Sequence, residues 1–510
     1  MDLVKYAKRT VDRYEWLPVV ILLLTGALLR FYSLGALPYG LNQDEASAGY
    51  DAWALLNYGI DRCGNSFPVL LEAWGSGQNV LYSYLVMPFI AIFGLTEFSL
   101  RLPAAILGTA ALAVFWLFAR KVRGPYFALC ALLVLAVNPW HVMISRWALE
   151  SNILPFFLFT GMLFTLLSLD REWYLLPAAV FFALSLYCYG TAFFFLPLFL
   201  TGAVIILRKK LRPASFFVSF AAFILIAMPI AYCQVLNLAG EESTAFLGMT
   251  LPRLTESRQM ATTVFGGGGA DALKTNFSKL LAILRTQTDG MKYNSLGTGG
   301  MFGVFGLPLI ALGAIASLAN RKRYTGERTV RLAVLAGLLT AFFIDGNINR
   351  LNMLWLPLIY FEAVGLYWIL CKLKSFAVIP IAVLAASTVL FWNSYTDTMG
   401  GSGYALYFPG LGEAIEYVEQ REPESVFITR YVNQPYIFSL FYSRTDPNEF
   451  LSTVDYINPD GAFRAVRSYG KYSFGAAEYG NADYLIVHVS EVGDREEEAR
   501  FGSYAVCRGD

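Results

Sequence analysis

The chain contains few histidines, which are common metal ligands, and few charged residues, which cover the surfaces of soluble proteins. Only two histidines, His141 and His488, occur in 510 residues, which argues against a multi-histidine metal site. Charged residues make up 15% of the chain and hydrophobic residues 56%, so apolar side chains must face lipid as well as a protein core. Basic and acidic residues are nearly balanced, at 39 against 38. This balance argues against nucleic acid as a partner.

The six cysteines show no spacing typical of metal ligands. Four of them lie in or beside apolar runs and are expected to be membrane-core residues: Cys130, Cys188, Cys233 and Cys371. Cys63 and Cys507 fall in segments that we place outside the membrane. A disulfide between these two is left open here, because the sequence carries no information on the distance between them.

Apolar runs long enough to cross a bilayer recur along the first 393 residues. The predicted spans are 17–34, 101–119, 125–144, 152–169, 173–189, 191–207, 214–233, 301–319, 331–344, 351–371 and 376–393. The shorter run 79–94 is predicted to be an interfacial or re-entrant helix on the outer face. The sequence therefore predicts an α-helical polytopic membrane protein, with about eleven transmembrane helices over residues 1–393.

The basic residues fix the predicted orientation. The N-terminus is rich in Lys and Arg and lacks a small-residue cleavage site, which favours an uncleaved first helix with a cytoplasmic N-terminus. With that orientation, every other basic cluster falls on the cytoplasmic side, as the positive-inside rule requires. These clusters are Lys121 with Arg123, Arg171, Arg208 to Arg212, Arg321 to Arg331, and Lys372 with Lys374.

Three extracytoplasmic pieces follow from this topology: the loops 35–100 and 234–300, and the segment 394–510. The second loop is rich in glycine and is either a mobile lid or a linker. The last segment has a soluble composition and alternates a helical pattern ("LGEAIEYVEQ") with strand-like runs ("SVFITR", "YLIVHVS"), which predicts a small α/β domain. The sequence has no internal repeat of the kind typical of alternating-access transporters.

Two adjacent carboxylates, Asp44 and Glu45, stand in the first outer loop, in the stretch "GLNQDEASAGYDAW". One interpretation is local. Asn42 followed by Glu45 fits a capping box, and acidic residues in a first helical turn are favoured by the helix dipole. The other interpretation is that the two acids belong to a site at the membrane surface, where charges are costly unless they face a cavity.

Other polar residues gather at the same predicted face. They are His141, Arg146 and Glu150 in "NPWHVMISRWALESN", Asp345, Asn347, Asn349 and Arg350 in "DGNINRLN", and Tyr187 and Tyr189 in "YCYGTA". For several of these residues, a purely structural role is an alternative to a role in a site. Arg146 and Glu150 could pair along a helix, Arg350 could anchor the chain at the interface, and His141 could be an interfacial residue. Carboxylates can accept protons, and arginines can bind phosphate. The presence of both at one face therefore favours chemistry on a phosphorylated substrate.

The stretch 37–108 ("LPYGLNQDEASAGYDAW…GLTEFSLRLPAAILG"), the later "SRWALESNILPFF" and the arginine turn at 349–350 resemble a known family. They are similar to the GT-C membrane glycosyltransferases of the protein O-mannosyltransferase and aminoarabinose-transferase type. The resemblance covers residues 17–200, and 345–371 more loosely. It implies an inverting hexosyl- or pentosyltransferase that uses a polyprenyl-phosphate-linked sugar and acts on an acceptor glycan, lipid or protein outside the cell.

Residue by residue, the predicted roles are as follows: Asp44 and Glu45 catalytic; Arg146 and Arg350 donor-phosphate-binding; Glu150 and His141 acceptor- or cation-binding; Tyr189 and Asn349 cavity-lining. A divalent cation (Mg, Mn or Zn) at Asp44 and Glu150 is an option. The chain departs from the family pattern at Leu351, where a tyrosine is common, and at Gln78 and Asn79, where Lys-Pro-Pro is common. The alternatives are a ligase or polymerase that uses a polyprenyl-diphosphate-linked oligosaccharide, and a transporter of lipid-linked sugars.

Overall fold

The structure is a computed structural model that describes residues 16–255, 263–264, 269–297, 299–320, 324–401, 404–461, 464–476 and 480–509. The basic N-terminal residues used for the predicted orientation lie outside these ranges, as do Arg258 and residues 321–323.

Helices dominate the described residues up to Met399. In chain order they are α1 (Trp16–Phe31), α2 (Gln43–Tyr58), α3 (Leu81–Phe93), α4 (Glu97–Arg123), α5 (Pro125–Val137), α6 (Pro139–Ile144), α7 (Glu150–Leu167), α8 (Leu175–Ser185), α9 (Ala192–Leu207), α10 (Pro213–Ala239), α11 (Gly269–Thr286), α12 (Gly306–Ala319), α13 (Thr325–Phe343), α14 (Asn352–Leu373) and α15 (Val378–Met399). Each predicted span falls on a helix. The predicted span 125–144 is divided into α5 and α6 because Asn138 caps a new helix that begins at Pro139.

Four stretches within the described residues are long and apolar enough to cross a membrane, judged by length and composition: Glu97–Arg123, Glu150–Leu167, Pro213–Ala239 and Asn352–Met399. Six further apolar helices contain 10–17 residues. The shorter helices include α3, which corresponds to the predicted interfacial or re-entrant run. The number of crossings therefore stays a prediction.

The predicted cytoplasmic loops meet at one end of the helical bundle. Lys121 pairs with Asp170, and Arg123 at the end of α4 pairs with Glu327 at the start of α13. On the same end, Arg212 Nη1 donates to Glu172 Oε1 at 2.9 Å. The polar residues of the predicted outer turns precede or begin α2, α7 and α14 at the opposite end. The fold thus places these two groups of loops at opposite ends of the bundle, and their sidedness in the membrane stays a prediction.

Two connections at that opposite end have structure of their own. The first carries α2 and a hairpin of β1 (Leu70–Ala73) and β2 (Ser76–Asn79). The second, predicted as a lid or a linker, contains a hairpin of β3 (Thr244–Phe246) and β4 (Met249–Leu251) and then α11. Asn276 on α11 donates to the carbonyl of Phe342 on α13 at 3.0 Å, so α11 is attached to the bundle.

The C-terminal segment forms a mixed seven-stranded sheet, in the order β10-β11-β9-β5-β8-β7-β6. Its strands are β5 (Val426–Thr429), β6 (Asp455–Tyr456), β7 (Val466–Tyr469), β8 (Tyr472–Gly475), β9 (Tyr484–His488), β10 (Glu497–Phe501) and β11 (Tyr504–Arg508). Its helices are α16 (Leu411–Glu419), α17 (Pro435–Ser443) and α18 (Pro447–Thr453). The predicted helix and both predicted strands correspond to α16, β5 and β9. All six cysteines are free, so Cys63 and Cys507 form no disulfide.

Candidate active site

Asp44 and Glu45 are adjacent in the first turn of α2, but their side chains point in different directions. Asn42 caps the helix by accepting from the Asp44 amide at 3.0 Å, and Glu45 Oε2 accepts from the Asn42 amide at 3.1 Å. The capping box read from the sequence is therefore present. Successive helical residues point about 100° apart. As a result Glu45 is buried in the protein, whereas the half-buried Asp44 side chain reaches a cavity.

Glu45 is a structural residue in this arrangement. Arg101 on α4 donates to it twice, through Nε at 3.0 Å and Nη2 at 3.1 Å, and the Ala148 amide donates at 3.0 Å. Both carboxyl oxygens are therefore occupied by protein donors, and both partners of the ion pair are fully buried. The geometry favours the capping interpretation of Glu45 over the predicted catalytic role. The Glu45 carboxylate also links α2 to Arg101 on α4 and to Ala148 in the segment before α7.

Arg146 is not available for a phosphate. It donates to four backbone carbonyls at 2.8–3.0 Å, those of Leu29, Arg30, Tyr32 and Leu37, and through Nε to the Tyr395 hydroxyl at 3.2 Å. A guanidinium has five N–H donors, and these contacts use all of them. The structure therefore argues against the predicted donor-phosphate role, because Arg146 instead satisfies carbonyls at and beyond the C-terminal end of α1.

His141 also lies away from the candidate site. Its Nδ1 atom is 2.6 Å from Nη2 of Arg30, and both residues are buried between α1 and α6. It lines neither of the two cavities described below. The structure thus does not bring His141 to the position that acceptor or cation binding would need.

A polar cavity of about 130 Å³ collects the remaining predicted residues. It is lined by Asn42, Gln43, Asp44, Ala73, Trp74, Gln78, Trp147, Leu149, Glu150, Tyr189, Tyr293, Asn347, Asn349, Arg350 and Leu406. Asp44 comes from α2, Glu150 from the first turn of α7, Tyr189 from the turn after α8, and Arg350 from the turn before α14. Five residues predicted from four separate outer turns therefore meet in one place.

A second cavity, of about 60 Å³, adjoins the first and is richer in apolar side chains. Its lining includes Leu70, Phe194, Leu254 and Ile344. Three residues line both cavities: Glu150, Tyr189 and Arg350. A ligand with a polar head and an apolar tail could therefore occupy both cavities, with the boundary between its two parts at Arg350.

Arg350 is held by the turn in which it lies. Its amide donates to Asn347 Oδ1 at 2.8 Å, and its Nη1 donates to the Asp345 carbonyl at 2.8 Å and to Asp345 Oδ2 at 3.2 Å. Among the described residues, the side-chain hydrogen bonds of Arg350 all use Nη1. The guanidinium is 21% exposed and lines both cavities, which favours ligand binding over a simple interfacial anchor.

Two amide oxygens of the polar cavity lack partners. Gln43 Oε1 and Asn349 Oδ1 are buried and have no hydrogen-bond partner within the described ranges. Such oxygens suit the hydroxyl groups of a bound ligand. The carboxylates of Asp44 and Glu150 line the same cavity, so the side-chain donors named here are oxygens, a type that suits Mg²⁺ or Mn²⁺ better than Zn²⁺. In the part of the chain that the structure describes, no three His, Cys, Asp or Glu residues form a metal-binding group.

Several lining residues were not found by sequence reasoning, among them Trp74, Tyr293 and Leu406. Trp74 lies in the β1–β2 turn, and its Nε1 donates to Asp44 Oδ1 at 3.4 Å. Tyr293 comes from the loop that was predicted to be a lid or a linker. Burial raises the pKa of Tyr293 to about 12, with Asp44 adding to the shift and Arg350 opposing it. Its hydroxyl therefore stays protonated at neutral pH. The only sequence signal for Trp74 is its position before a glycine.

Comparison with known proteins agrees with this fold. A family model described as dolichyl-phosphate-mannose-protein mannosyltransferase matches residues 78–232. Among solved structures, ArnT from Cupriavidus metallidurans bound to undecaprenyl phosphate has a TM-score of 0.61 at 13% identity, and the match covers 97% of this chain and 98% of that one. No curated protein sequence matches the chain.

Two oligosaccharyltransferase structures from Archaeoglobus fulgidus also share the fold. The apo form has a TM-score of 0.52 at 14% identity, with 84% of this chain and 63% of that chain covered. AglB in complex with an inhibitory peptide and a dolichol-phosphate has a TM-score of 0.51 at 13% identity, with 85% and 64% covered. At these identities the likeness is one of fold. The resemblance predicted from the sequence motifs is confirmed: residues 78–232 match the mannosyltransferase family model, and the chain shares the GT-C fold of ArnT and the oligosaccharyltransferases.

Proposed function

We propose that the protein is a membrane glycosyltransferase that moves a sugar from a polyprenyl-phosphate donor to an acceptor nucleophile. The observation that carries the proposal is the pair of adjoining cavities, which share Glu150, Tyr189 and Arg350 while only the polar cavity contains Asp44. The fold and the family match support it, since ArnT is solved with undecaprenyl phosphate, AglB with a dolichol-phosphate, and the family is described by dolichyl-phosphate-mannose.

The donor is arranged across the two cavities. Its phosphate pairs with the guanidinium of Arg350, which forms forked hydrogen bonds suited to phosphate oxygens. Its first isoprene units lie against the apolar side chains of the second cavity, including Leu70 and Ile344. Its sugar enters the polar cavity, where Gln43 Oε1 and Asn349 Oδ1 accept hydrogen bonds from sugar hydroxyls.

The reaction is a single displacement at the anomeric carbon. Asp44 accepts the proton of the acceptor hydroxyl, and the acceptor oxygen forms a bond to the anomeric carbon from the face opposite the phosphate. The bond between that carbon and the phosphate oxygen breaks, and its electron pair leaves with the polyprenyl phosphate, which inverts the anomeric configuration. The leaving phosphate is already anionic and needs no protonating acid, so Arg350 stabilises it by charge and hydrogen bonds without transferring a proton.

Glu150 stands at the boundary of the cavities and is proposed to hold the acceptor or a divalent cation. When bound, such a cation would supply charge stabilisation to the leaving phosphate. Its protein ligands would be Asp44, Glu150 and the amide oxygens of the polar cavity. Glu150→Gln is expected to lower transfer in either role, and a dependence on added Mg²⁺ or Mn²⁺ in the unmodified protein distinguishes the cation role.

The proposal is tested by a transfer assay with the purified full-length chain, a panel of polyprenyl-linked sugars and extracted cell envelope. Transfer from a monophosphate donor with inversion is expected. Transfer from diphosphate-linked oligosaccharides alone would instead make the protein a ligase or polymerase. Movement of lipid-linked sugar across sealed vesicles without transfer would make it a transporter. Either result would overturn the proposal.

Replacing Arg350 by Ala is expected to weaken donor binding by about 2–5 kcal/mol, because the lipid phosphate would lose its desolvated positive partner. Binding of a fluorescent polyprenyl-phosphate sugar to the protein in nanodiscs measures this. Lys279→Ala is the matched control, since Lys279 pairs with the same Asp345 but lines neither cavity. Equal affinities of the two variants would show that Arg350 is only an anchor of its turn.

The cavities are proposed to open on the extracytoplasmic face, with the N-terminus cytoplasmic. In a Cys371→Ser background, which removes the exposed natural thiol, a cysteine at the exposed Ser452 should react with a membrane-impermeant maleimide in intact spheroplasts. A cysteine at the exposed Lys209 should react only after the cells are permeabilised. The reverse pattern would invert the topology.

A further inference from the structure

The turn between β1 and β2 holds a bulky residue in a backbone conformation that bulky residues avoid. Ala73 pairs with Ser76, so Trp74 and Gly75 form a two-residue turn, with φ of 60° and 91°. Turns of this shape favour Asn-Gly. A tryptophan at positive φ is an outlier, and such strain persists only where the surroundings fix it.

The surroundings of the Trp74 ring are charged, aromatic and rigid. The guanidinium of Arg62 lies 4.9 Å from the ring centre, and the ring of Tyr436 on α17 meets it edge-on at 5.9 Å. Arg62 is itself buried. It donates to Ser47 Oγ at 2.7 Å and pairs with Asp51 at 3.7 Å, and both of these residues lie on α2. One side of the indole is thus tied to the helix that carries Asp44.

The C-terminal domain, residues 404–509, contacts the same hairpin directly. The Arg464 amide donates to the Trp74 carbonyl at 2.9 Å, and the Arg464 guanidinium pairs with Glu72 on β1. Both members of this ion pair are mostly buried, at 19% and 15% exposed, so it is less screened than a surface pair. The hairpin is therefore enclosed between α2 and the C-terminal domain.

We propose that the C-terminal domain takes part in catalysis by holding Trp74, and that Trp74 is a positioning residue for Asp44. The indole N–H donates to Asp44 Oδ1 and so orients the carboxylate that receives the acceptor proton. The observed 3.4 Å is long for a hydrogen bond, and catalytic hydrogen bonds commonly tighten only when substrate is bound. This inference rests on the proposed function, because it assigns Trp74 a task only if Asp44 is the base.

Trp74→Phe tests the role of the indole, because it keeps an aromatic ring beside Arg62 and Tyr436 and removes the N–H together with the five-membered ring. The expected result is a kcat about tenfold lower, the effect of losing one hydrogen bond to a charged group. The KM for the lipid donor should change little, because its phosphate and isoprene units bind at Arg350 and in the second cavity, which Trp74 does not line.

The pH–rate profile separates positioning from a merely structural role. A hydrogen bond to a carboxylate favours its charged form, so the loss of the indole N–H should move the acidic limb of kcat to higher pH by about one unit. The other ionisable groups that line the cavity, Glu150, Tyr189, Tyr293 and Arg350, are unchanged in this variant. An unshifted acidic limb with normal kcat would overturn the proposal.

Arg464→Ala tests the part played by the C-terminal domain. It should reproduce the lower kcat and the shifted limb, and Arg464→Lys should restore part of both. Arg467→Ala is the matched control, because Arg467 forms an exposed ion pair with Asp455 in the same domain and does not contact the hairpin. Arg464→Ala removes the ion pair with Glu72 and keeps the backbone hydrogen bond to the Trp74 carbonyl. If it behaves like Arg467→Ala, the proposal that the domain holds Trp74 through this ion pair is refuted.

The outcome for Asp44 distinguishes this inference from the function on which it rests. An inactive Asp44→Asn together with a fully active Trp74→Phe refutes the role of Trp74 alone. An active Asp44→Asn refutes the proposed function and, with it, the role of Trp74.

Discussion

Replacement of Asp44 by Asn is expected to lower turnover about 10²- to 10⁴-fold, because the variant keeps the shape of the side chain but cannot accept a proton. Binding of the lipid donor should survive, since the lost charge faces the acceptor and Arg350 binds the phosphate. Single-turnover transfer from a polyprenyl-phosphate sugar, together with a donor-binding measurement, separates the two effects.

The fold should tolerate the change at Asp44. The cap of α2 uses the Asp44 amide and the Asn42 side chain, and neither is altered. Asp271→Asn is the matched control, because Asp271 is an exposed first-turn acid of α11 that lines neither cavity. Near-normal transfer by a folded Asp44→Asn protein would mean that the acid serves only the start of the helix.

The neighbouring substitution Glu45→Gln is expected to act on stability and not on chemistry. It leaves the Arg101 guanidinium buried without its counter-charge, and the loss of one partner of such a pair typically costs about 3–5 kcal/mol. A helix cap alone would cost about 1 kcal/mol. Thermal unfolding of the purified protein in detergent should show a large decrease in the midpoint.

The double variant Glu45→Leu with Arg101→Met should recover part of the lost stability, because no buried charge then remains unpaired. Recovery should be incomplete, since Arg101 also donates to the carbonyls of Pro38 and Gly40, and these would lose their partner. A Glu45→Gln protein with normal stability and no transfer activity would instead restore the catalytic role that the motif suggested.

Much of the architecture follows from local sequence patterns. Apolar runs locate the helices because burial in lipid requires a continuous apolar segment with its backbone hydrogen bonds satisfied internally. The capping box at Asn42 and Glu45 is readable because it involves only residues within one turn. The positions of Asp44, Glu150, Tyr189, Asn349 and Arg350 in outer turns were also sufficient to predict that they gather at one face.

The roles of the other charged residues were decided by contacts distant in sequence. Arg146 and Arg350 look equivalent as arginines at outer turns, yet Arg146 is saturated by carbonyls more than 100 residues away, whereas Arg350 lines both cavities. Sequence reasoning cannot distinguish them, because the partner that satisfies each N–H is set by how α1 packs against α6 and α15.

The tertiary structure alone also determined which residues complete the cavity. Trp74, Tyr293 and Leu406 come from three segments separated by more than 100 residues each, and none carries a motif. The sequence by itself determined which segments lie in apolar surroundings and where they end. That location depends on the free energy of transferring neighbouring side chains from water to an apolar environment. Which side chain of a polar turn faces the cavity and which is buried depends on the three-dimensional packing of whole helices, since a rotation of about 100° between adjacent residues gives Asp44 and Glu45 opposite environments.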